Sequence, residues 1–308
     1  MAKIVHSVIP APVRADLTDD PLDVLRFAVK AAPQGAALAT LTDIRGGAAR
    51  AIGSQMAIAA DGRFCGYVSG GCVEAAVAAE ALLAMSTGRD RCLRLGEGSP
   101  FFDIVLPCGG GITVTIHLLR NVLGLERVIR ELEMRRFAAL EYSLADQTLS
   151  FSDKVPKRGL WSGSKFITPY RPRTRLIVSG HPAEVRAVSA LAKSSGFELI
   201  AFTHSGARNA TLGLIDAFSA VVLLHHDLDS EAPLLEPALQ SEAFYIGALG
   251  STRTHTSRME RLRKNGMPQE AIDRVRAPIG MFGPTRDSNS LAISVLADVA
   301  AARLVAYT

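Results

Sequence analysis

From Arg175 onward the chain alternates between two kinds of segment. Arg175–Val178, Glu198–Thr203, Ala220–Leu224 and Ala243–Ile246 are apolar runs of strand length, and helix-like stretches fall at Ala183–Ser194, Glu231–Gln240 and Thr254–Lys264. Strands that are apolar throughout must be covered on both faces. Helices interleaved with such strands form that cover, which predicts a doubly wound, Rossmann-like parallel sheet over residues 174–308. Leu291–Leu304 is expected to close this domain as an amphipathic helix.

The 308 residues suffice for two ordinary domains. The first half has a different rhythm. Asp20 caps a helix with Pro21 in its first turn and Leu22, Leu25 and Val29 on one face. Strand-like segments follow at Ala36–Thr42, Gln55–Ala59 and Phe64–Val68, with a turn at Ala60–Asp61–Gly62 between the last two. A helix spans CVEAAVAAEALLAM, and Ile112, Val114, Ile116 and Leu118 alternate as in a strand. Residues 1–120 therefore read as a mixed α/β domain. Residues 121–173 read as a connection with a helix (Leu125–Arg135), a hairpin around Asp146–Gln147 and a linker ending at Pro172.

Hydrophobic residues make up 48% and charged residues 21%, the balance of a globular protein, and the net charge is only +4. The basic cluster Arg171, Arg173 and Arg175 reads as solvated linker, so no nucleic-acid partner is expected. No apolar run approaching the roughly 18 residues needed to span a bilayer is expected, and the first residues lack the pattern of a signal peptide. A cytoplasmic protein without membrane attachment is the expectation. Cys65, Cys72, Cys92 and Cys108 form neither a disulfide framework nor a Cys-x-x-Cys zinc motif, so any that matters acts as a thiol.

Two corners combine cysteine with glycine. In Val68–Ser69–Gly70–Gly71–Cys72–Val73–Glu74, two glycines precede a helix whose free N–H groups favour an anion. A cysteine in that first turn would lie in the field that favours thiolate. Read alone, the same residues also fit a turn followed by a small buried side chain. In Pro107–Cys108–Gly109–Gly110–Gly111 the glycines let something approach the backbone closely, or form a bulge at a strand entrance.

The blocks AIGSQMAIAADGRFCGYVSGGCVE, LPCGGGITVTI and YIGALGSTRTHTSRMERL, with APIG close behind, resemble the signature blocks of the XdhC/CoxI family, in family order and over nearly the whole chain. The resemblance implies an N-terminal XdhC/CoxI domain, a C-terminal Rossmann domain, and an accessory protein rather than a metabolic enzyme. Such proteins bind molybdenum cofactor, protect it while its sulfido ligand is added, and deliver it to a molybdenum hydroxylase such as xanthine dehydrogenase. The implied partners are that client and a sulfur-donor enzyme, and self-association is expected. The matching positions are Gly53, Gln55, Met56, Gly70, Gly71, Cys72, Glu74, Cys108, Gly109 and Gly110, with Cys72 and Cys108 as molybdenum contacts. The chemistry agrees: backbone amides suit a phosphate and thiols suit a soft metal.

In the second domain the family pattern resembles Gly-x-Gly-His-Val-Ala, where this chain has Val178–Ser179–Gly180–His181–Pro182–Ala183. The first glycine of the dinucleotide turn is gone, and no acid for a ribose appears in Phe202–Thr203–His204–Ser205, so NAD(P) is not expected here. Gly180 and His181 remain candidate ligand residues, with His226, Asp227, Gly247, Gly250, Ser251 and Arg253 at later strand ends. Where family members read like Ile-Gly-Leu-Asp-Ile-Gly, this chain has Ile279–Gly280–Met281–Phe282–Gly283–Pro284, without the aspartate. An NAD(P)-dependent oxidoreductase and an adaptor that binds only the client are the alternative functions.

Overall fold

The structure, a computed structural model, describes residues 9–97, 99, 109–203 and 213–307. The chain divides into two compact units, Met1–Pro172 and Arg173–Thr308.

The first unit is built on a six-stranded sheet. Its strands are β1 (Val13–Arg14), β2 (Ala36–Arg45), β3 (Gln55–Ala59), β4 (Arg63–Gly66), β5 (Arg91–Gly96) and β6 (Gly111–Leu118), in the order β1-β4-β3-β2-β6-β5. All neighbours are antiparallel except β1 and β4. The two-residue period of β2 divides its side chains between two cores. Ala37, Ala39 and Leu41 pack beneath α2 (Glu74–Thr87), while Ala36 and Leu38 join α1 (Pro21–Ala31) and α3 (Leu123–Glu133) on the other face. The expected cap of α1 is present, since Asp20 Oδ1 accepts the Leu22 N–H at 2.8 Å and Pro21 begins the helix.

Four further strands, β7 (Ala138–Ser143), β8 (Thr148–Ser152), β9 (Leu160–Ser162) and β10 (Lys165–Tyr170), form an antiparallel sheet in the order β8-β7-β10-β9. The hairpin at Asp146–Gln147 joins β7 to β8, and β9 and β10 stand where the sequence reads as linker. Pro169 obscured β10, because a proline argues against an interior strand. It is tolerated here because β9 pairs only with Lys165–Ile167, leaving β10 open on that side at Pro169.

The second unit is the expected doubly wound sheet. It contains β11 (Arg175–Gly180), α4 (Pro182–Ser194), β12 (Glu198–Thr203), β13 (Ser219–Leu224), α5 (Leu228–Gln240), β14 (Tyr245–Ala248), α6 (Thr252–Lys264), α7 (Gln269–Ile272), β15 (Val275–Arg276) and α8 (Ser288–Tyr307). The strands are all parallel, in the order β12-β11-β13-β14-β15. Helices α4 and α8 cover one face, and α5, α6 and α7 the other. The strand order reverses between β11 and β13, which opens a crevice at their carboxyl ends.

Helix α8 departs from the expectation of a clean amphipathic stripe. It buries Leu291, Val295 and Val299, yet Ile293, Leu304 and Val305 are exposed. The apparent lack of a bilayer-length run also needs correction: Ser288–Ala306 is long and apolar enough to cross a membrane, by length and composition. In this fold the helix packs against α4 and the sheet.

Candidate functional site

The first Cys/Gly corner is held from behind by a buried carboxylate. Glu74, the first residue of α2, is 1% exposed. Its Oε1 accepts the N–H of Val68 at 3.1 Å and of Ser69 at 2.7 Å, and the Ser69 hydroxyl reaches both oxygens at 3.0 and 2.9 Å. The same Ser69 oxygen accepts the Gly71 N–H at 3.2 Å and lies 3.5 Å from Cys72 Sγ. This clasp leaves Gly70, Gly71 and Cys72 exposed at the surface. A side chain at Gly71 would meet nothing within 4 Å.

Cys72 stands before the cap Val73 and not within the first turn of α2, as the sequence had suggested. Glu74, named as a cofactor residue, has its carboxylate engaged inside the protein. Met56 is completely buried beneath α2, so its side chain belongs to the core.

Beside this loop lies a pocket of about 80 Å³, lined by Asp19, Arg50, Gly53, Gln55, Tyr67 and Tyr170 among others. Gln55 is fixed on both ends: its Nε2 donates to Thr40 Oγ1 at 2.9 Å, and its Oε1 accepts the Tyr170 hydroxyl at 2.6 Å. Arg50 bridges pocket and loop. It donates to Asp19 Oδ2 at 2.8 Å and to the Ser69 carbonyl at 3.3 Å, and its guanidinium lies 4.8 Å from the Tyr67 ring centroid. Arg14 lies 4.3 Å from the centroid of the same ring. Two cations therefore gather at Tyr67. Neither arginine stood out in the sequence, because the β3–β4 hairpin and the β1–β4 pairing, not a local motif, bring them to this ring.

At the second corner, Cys108 lies outside the described residues. Gly109 has φ +70° and open space around it. A Cβ on Gly110 would stand 2.4 Å from the Gly47 carbonyl, and one on Gly111 2.3 Å from the Glu97 carbonyl. What approaches these two glycines is the protein's own chain. The structure therefore favours a tight strand entrance at Gly110.

In the second unit, a Cβ on Gly180 would stand 2.3 Å from the Leu224 carbonyl, which also accepts the His181 N–H at 3.1 Å. His181 Nδ1 and His226 Nε2 approach the two oxygens of Glu184 at 2.8 and 3.8 Å. Asp227 caps α5 by accepting the Ser230 N–H at 2.7 Å; that bond holds its carboxyl below the usual range. Ser179 Oγ meets Nε2 of His225 at 2.9 Å, and burial pushes that imidazole below its ordinary value. Gly247 packs against the Tyr245 ring and Ile279, while Ser251 caps α6 by accepting the Thr254 N–H at 3.3 Å. His204 and Ser205 lie outside the described residues.

Comparison with known proteins follows the same two-part division. Residues 29–96 match the model of the XdhC and CoxI family, and residues 176–299 that of the XdhC Rossmann domain. The molybdenum cofactor insertion chaperone PaoD of Escherichia coli K12 is 48% identical over 295 residues, which cover 95% of this chain and 92% of that protein. The uncharacterised protein YqeB of the same organism is 26% identical over 267 residues, 85% of this chain and 42% of its own length. A crystal structure from Bacillus halodurans, described as a xanthine dehydrogenase, superimposes with a TM-score of 0.74 over 93% of this chain and 96% of its own; at 21% identity it shows the shared fold. The signature blocks, the two matched domains and the full-length relative agree: the chain belongs to the XdhC/CoxI family.

Proposed function

We propose that this protein binds molybdenum cofactor, shields it, and inserts it into a molybdenum hydroxylase of the xanthine-dehydrogenase type. The observation that carries this reading is the 48% identity to a molybdenum cofactor insertion chaperone over 95% of the chain. The first unit contains groups of suitable chemistry. Cys72 offers an exposed sulfur for a soft metal, and the exposed Gly70 backbone with Arg50 beside it suits an anionic phosphate. In this reading Cys108 is a second sulfur contact, Glu74 and Met56 support the loop without touching cargo, and Gly53 and Gln55 shape the neighbouring pocket. A pocket of about 80 Å³ is small beside the 300–1,000 Å³ typical of ligand sites, so the cargo rests on the exposed loop. A surface that is open to load and covered by a partner to unload suits a carrier.

The protein acts in the cytoplasm, with the client hydroxylase and a sulfur-donor enzyme as partners, and associates with itself. A dehydrogenase role is disfavoured by the β11–α4 corner, where Pro182 donates no N–H and the His181 N–H is already taken by Leu224.

The test is to purify the protein from cells that make molybdenum cofactor, then measure bound pterin by fluorescence and molybdenum by mass spectrometry. The wild type should hold both, and Cys72→Ala, Cys108→Ala and Arg50→Gln should each hold less with unchanged melting temperature. Full occupancy in all three variants would remove this loop from the mechanism; no cofactor in the wild type would remove the function.

A further inference from the structure

We infer that the second unit binds a phosphate-bearing ligand at the β14–α6 corner, and not at the β11–α4 corner where a dinucleotide fold places its pyrophosphate. Among the described residues of this unit, three helices start at carboxyl ends of strands, and their first turns differ in charge. Helix α4 opens with Pro182 and Glu184, and α5 with Asp227, Asp229 and Glu231. Both starts repel an anion. Helix α6 has no acidic residue in its first turn and carries Ser251, Thr252, Arg253 and Thr254. The N–H groups of Thr252 and Arg253 belong to the first turn, where no carbonyl within the helix can accept them.

A second observation points to a ligand. Arg258, two turns into α6, is 1% exposed. Side chains on a helix lean toward its N-terminus, and this one reaches back to the corner. Its Nη2 donates to the Leu249 carbonyl at 2.7 Å, two residues before the cap Ser251. Nε and Nη2 grip the buried Glu231 carboxylate at 2.5 and 2.9 Å. Nη1 is buried with no partner, and so is Nδ1 of His255, one turn nearer the helix start on the same face. Burial and the Arg258 guanidinium push the His255 imidazole below its ordinary value. Two polar nitrogens left bare below a helix start are costly unless something meets them. Arg253 is exposed at that start and has no carboxylate partner among the described residues. A phosphate group on the amides of Thr252 and Arg253 would be met by the Ser251 and Thr254 hydroxyls and Arg253, with the Arg258 guanidinium held behind it at the Leu249 carbonyl.

The full-length protein would be titrated with inorganic phosphate, adenosine monophosphate and NAD by calorimetry, with the His255 imidazole followed by NMR. Phosphate and adenosine monophosphate should compete for one site and shift the His255 signal. A nucleoside ligand would bind more tightly than phosphate alone, and equal affinity would mean that only the phosphate is recognised. Arg253→Gln should weaken phosphate about tenfold, or about 1.4 kcal/mol. Ser251→Ala should weaken it severalfold, and Glu184→Gln at the other corner should change nothing. Arg258→Lys keeps a cation against Glu231 while removing Nη1, and should weaken phosphate without unfolding the unit; the two surface variants decide the matter if it does unfold. The inference fails if phosphate does not bind at about 10 mM, a concentration at which even a millimolar site fills. It also fails if binding survives both surface variants, or is altered by Glu184→Gln and not by Arg253→Gln.

Discussion

Glu74 Oε1 accepts the N–H of Ser69 at 2.7 Å, so the first residue of α2 anchors the loop that precedes it. The carboxylate faces inward, and the cysteine between the two residues faces out. Glu74→Gln keeps one acceptor oxygen but sets an amide nitrogen against Ser69. It should cost about 1–3 kcal/mol, read from urea unfolding, and loosen the loop enough to raise its amide exchange. Unchanged exchange at Gly70–Cys72 would mean the clasp does not order the loop.

The thiols should separate by exposure. Cys65 is buried in β4, and burial pushes its thiol up to about 12. Iodoacetamide at neutral pH should therefore label Cys72, label Cys92 more slowly because partial burial pushes its thiol up, and spare Cys65, as peptide mass mapping would show. Cys72→Ala, at an exposed position, should change stability by no more than about 0.5 kcal/mol. Rapid labelling of Cys65 would contradict the β3–β4 packing described above.

Glycines at the two corners should respond differently to alanine. At Gly110 the new methyl would collide with the Gly47 carbonyl, backbone that cannot swing aside, for a cost of about 1–3 kcal/mol. At Gly71 the methyl finds open space, and only its φ of +109° resists, for about 1–2 kcal/mol. Thermal unfolding should rank Gly110→Ala as the more damaging. Cofactor retention should rank Gly71→Ala lower, because that methyl stands on the exposed loop.

Acid should weaken both units, in different ranges. Burial alone would raise the Asp90 carboxyl, but His117 Nδ1 at 2.6 Å, the Leu118 N–H at 3.1 Å and Arg120 at 2.8 Å outweigh it and hold the group below its ordinary value. Its stabilisation is full above the unfolded value of about 3.9 and is lost as pH falls through the lower folded value. His225 behaves differently, because burial favours its neutral form in the folded state. The unfolded chain takes up that proton first, so stability declines once pH drops below about 6.5. Urea unfolding from pH 7 to 3 should show a gentle loss from the histidine range and a steeper one near and below pH 4. Asp90→Asn should reduce the steep part, which Asp227 shares, and cost about 3 kcal/mol at pH 7; His225→Gln should reduce the gentle part, which His255 shares.

The alternation of apolar runs after Arg175 was enough to read the parallel sheet and its helices, because burial on both faces leaves an unbroken local signal. Asp20 and Pro21 announced α1 for an equally local reason: a cap acts within one turn. The signature blocks identified the family and drew attention to Gly70, Gly71 and Cys72. Only the tertiary structure decided what each marked residue does. Met56 and Glu74 turn inward, Gly110 makes room for Gly47, and Asp227 caps a helix, because strand pairing and helix packing determine which side of a residue meets its own chain. Arg14, Arg50 and Tyr67 were silent in sequence for the converse reason. Their meeting depends on β1 pairing with β4 and on the hairpin that follows β3. Arg258 carries no local signal in the sequence; the packing of α6 on the sheet buries it against Glu231 and leaves one nitrogen without a partner.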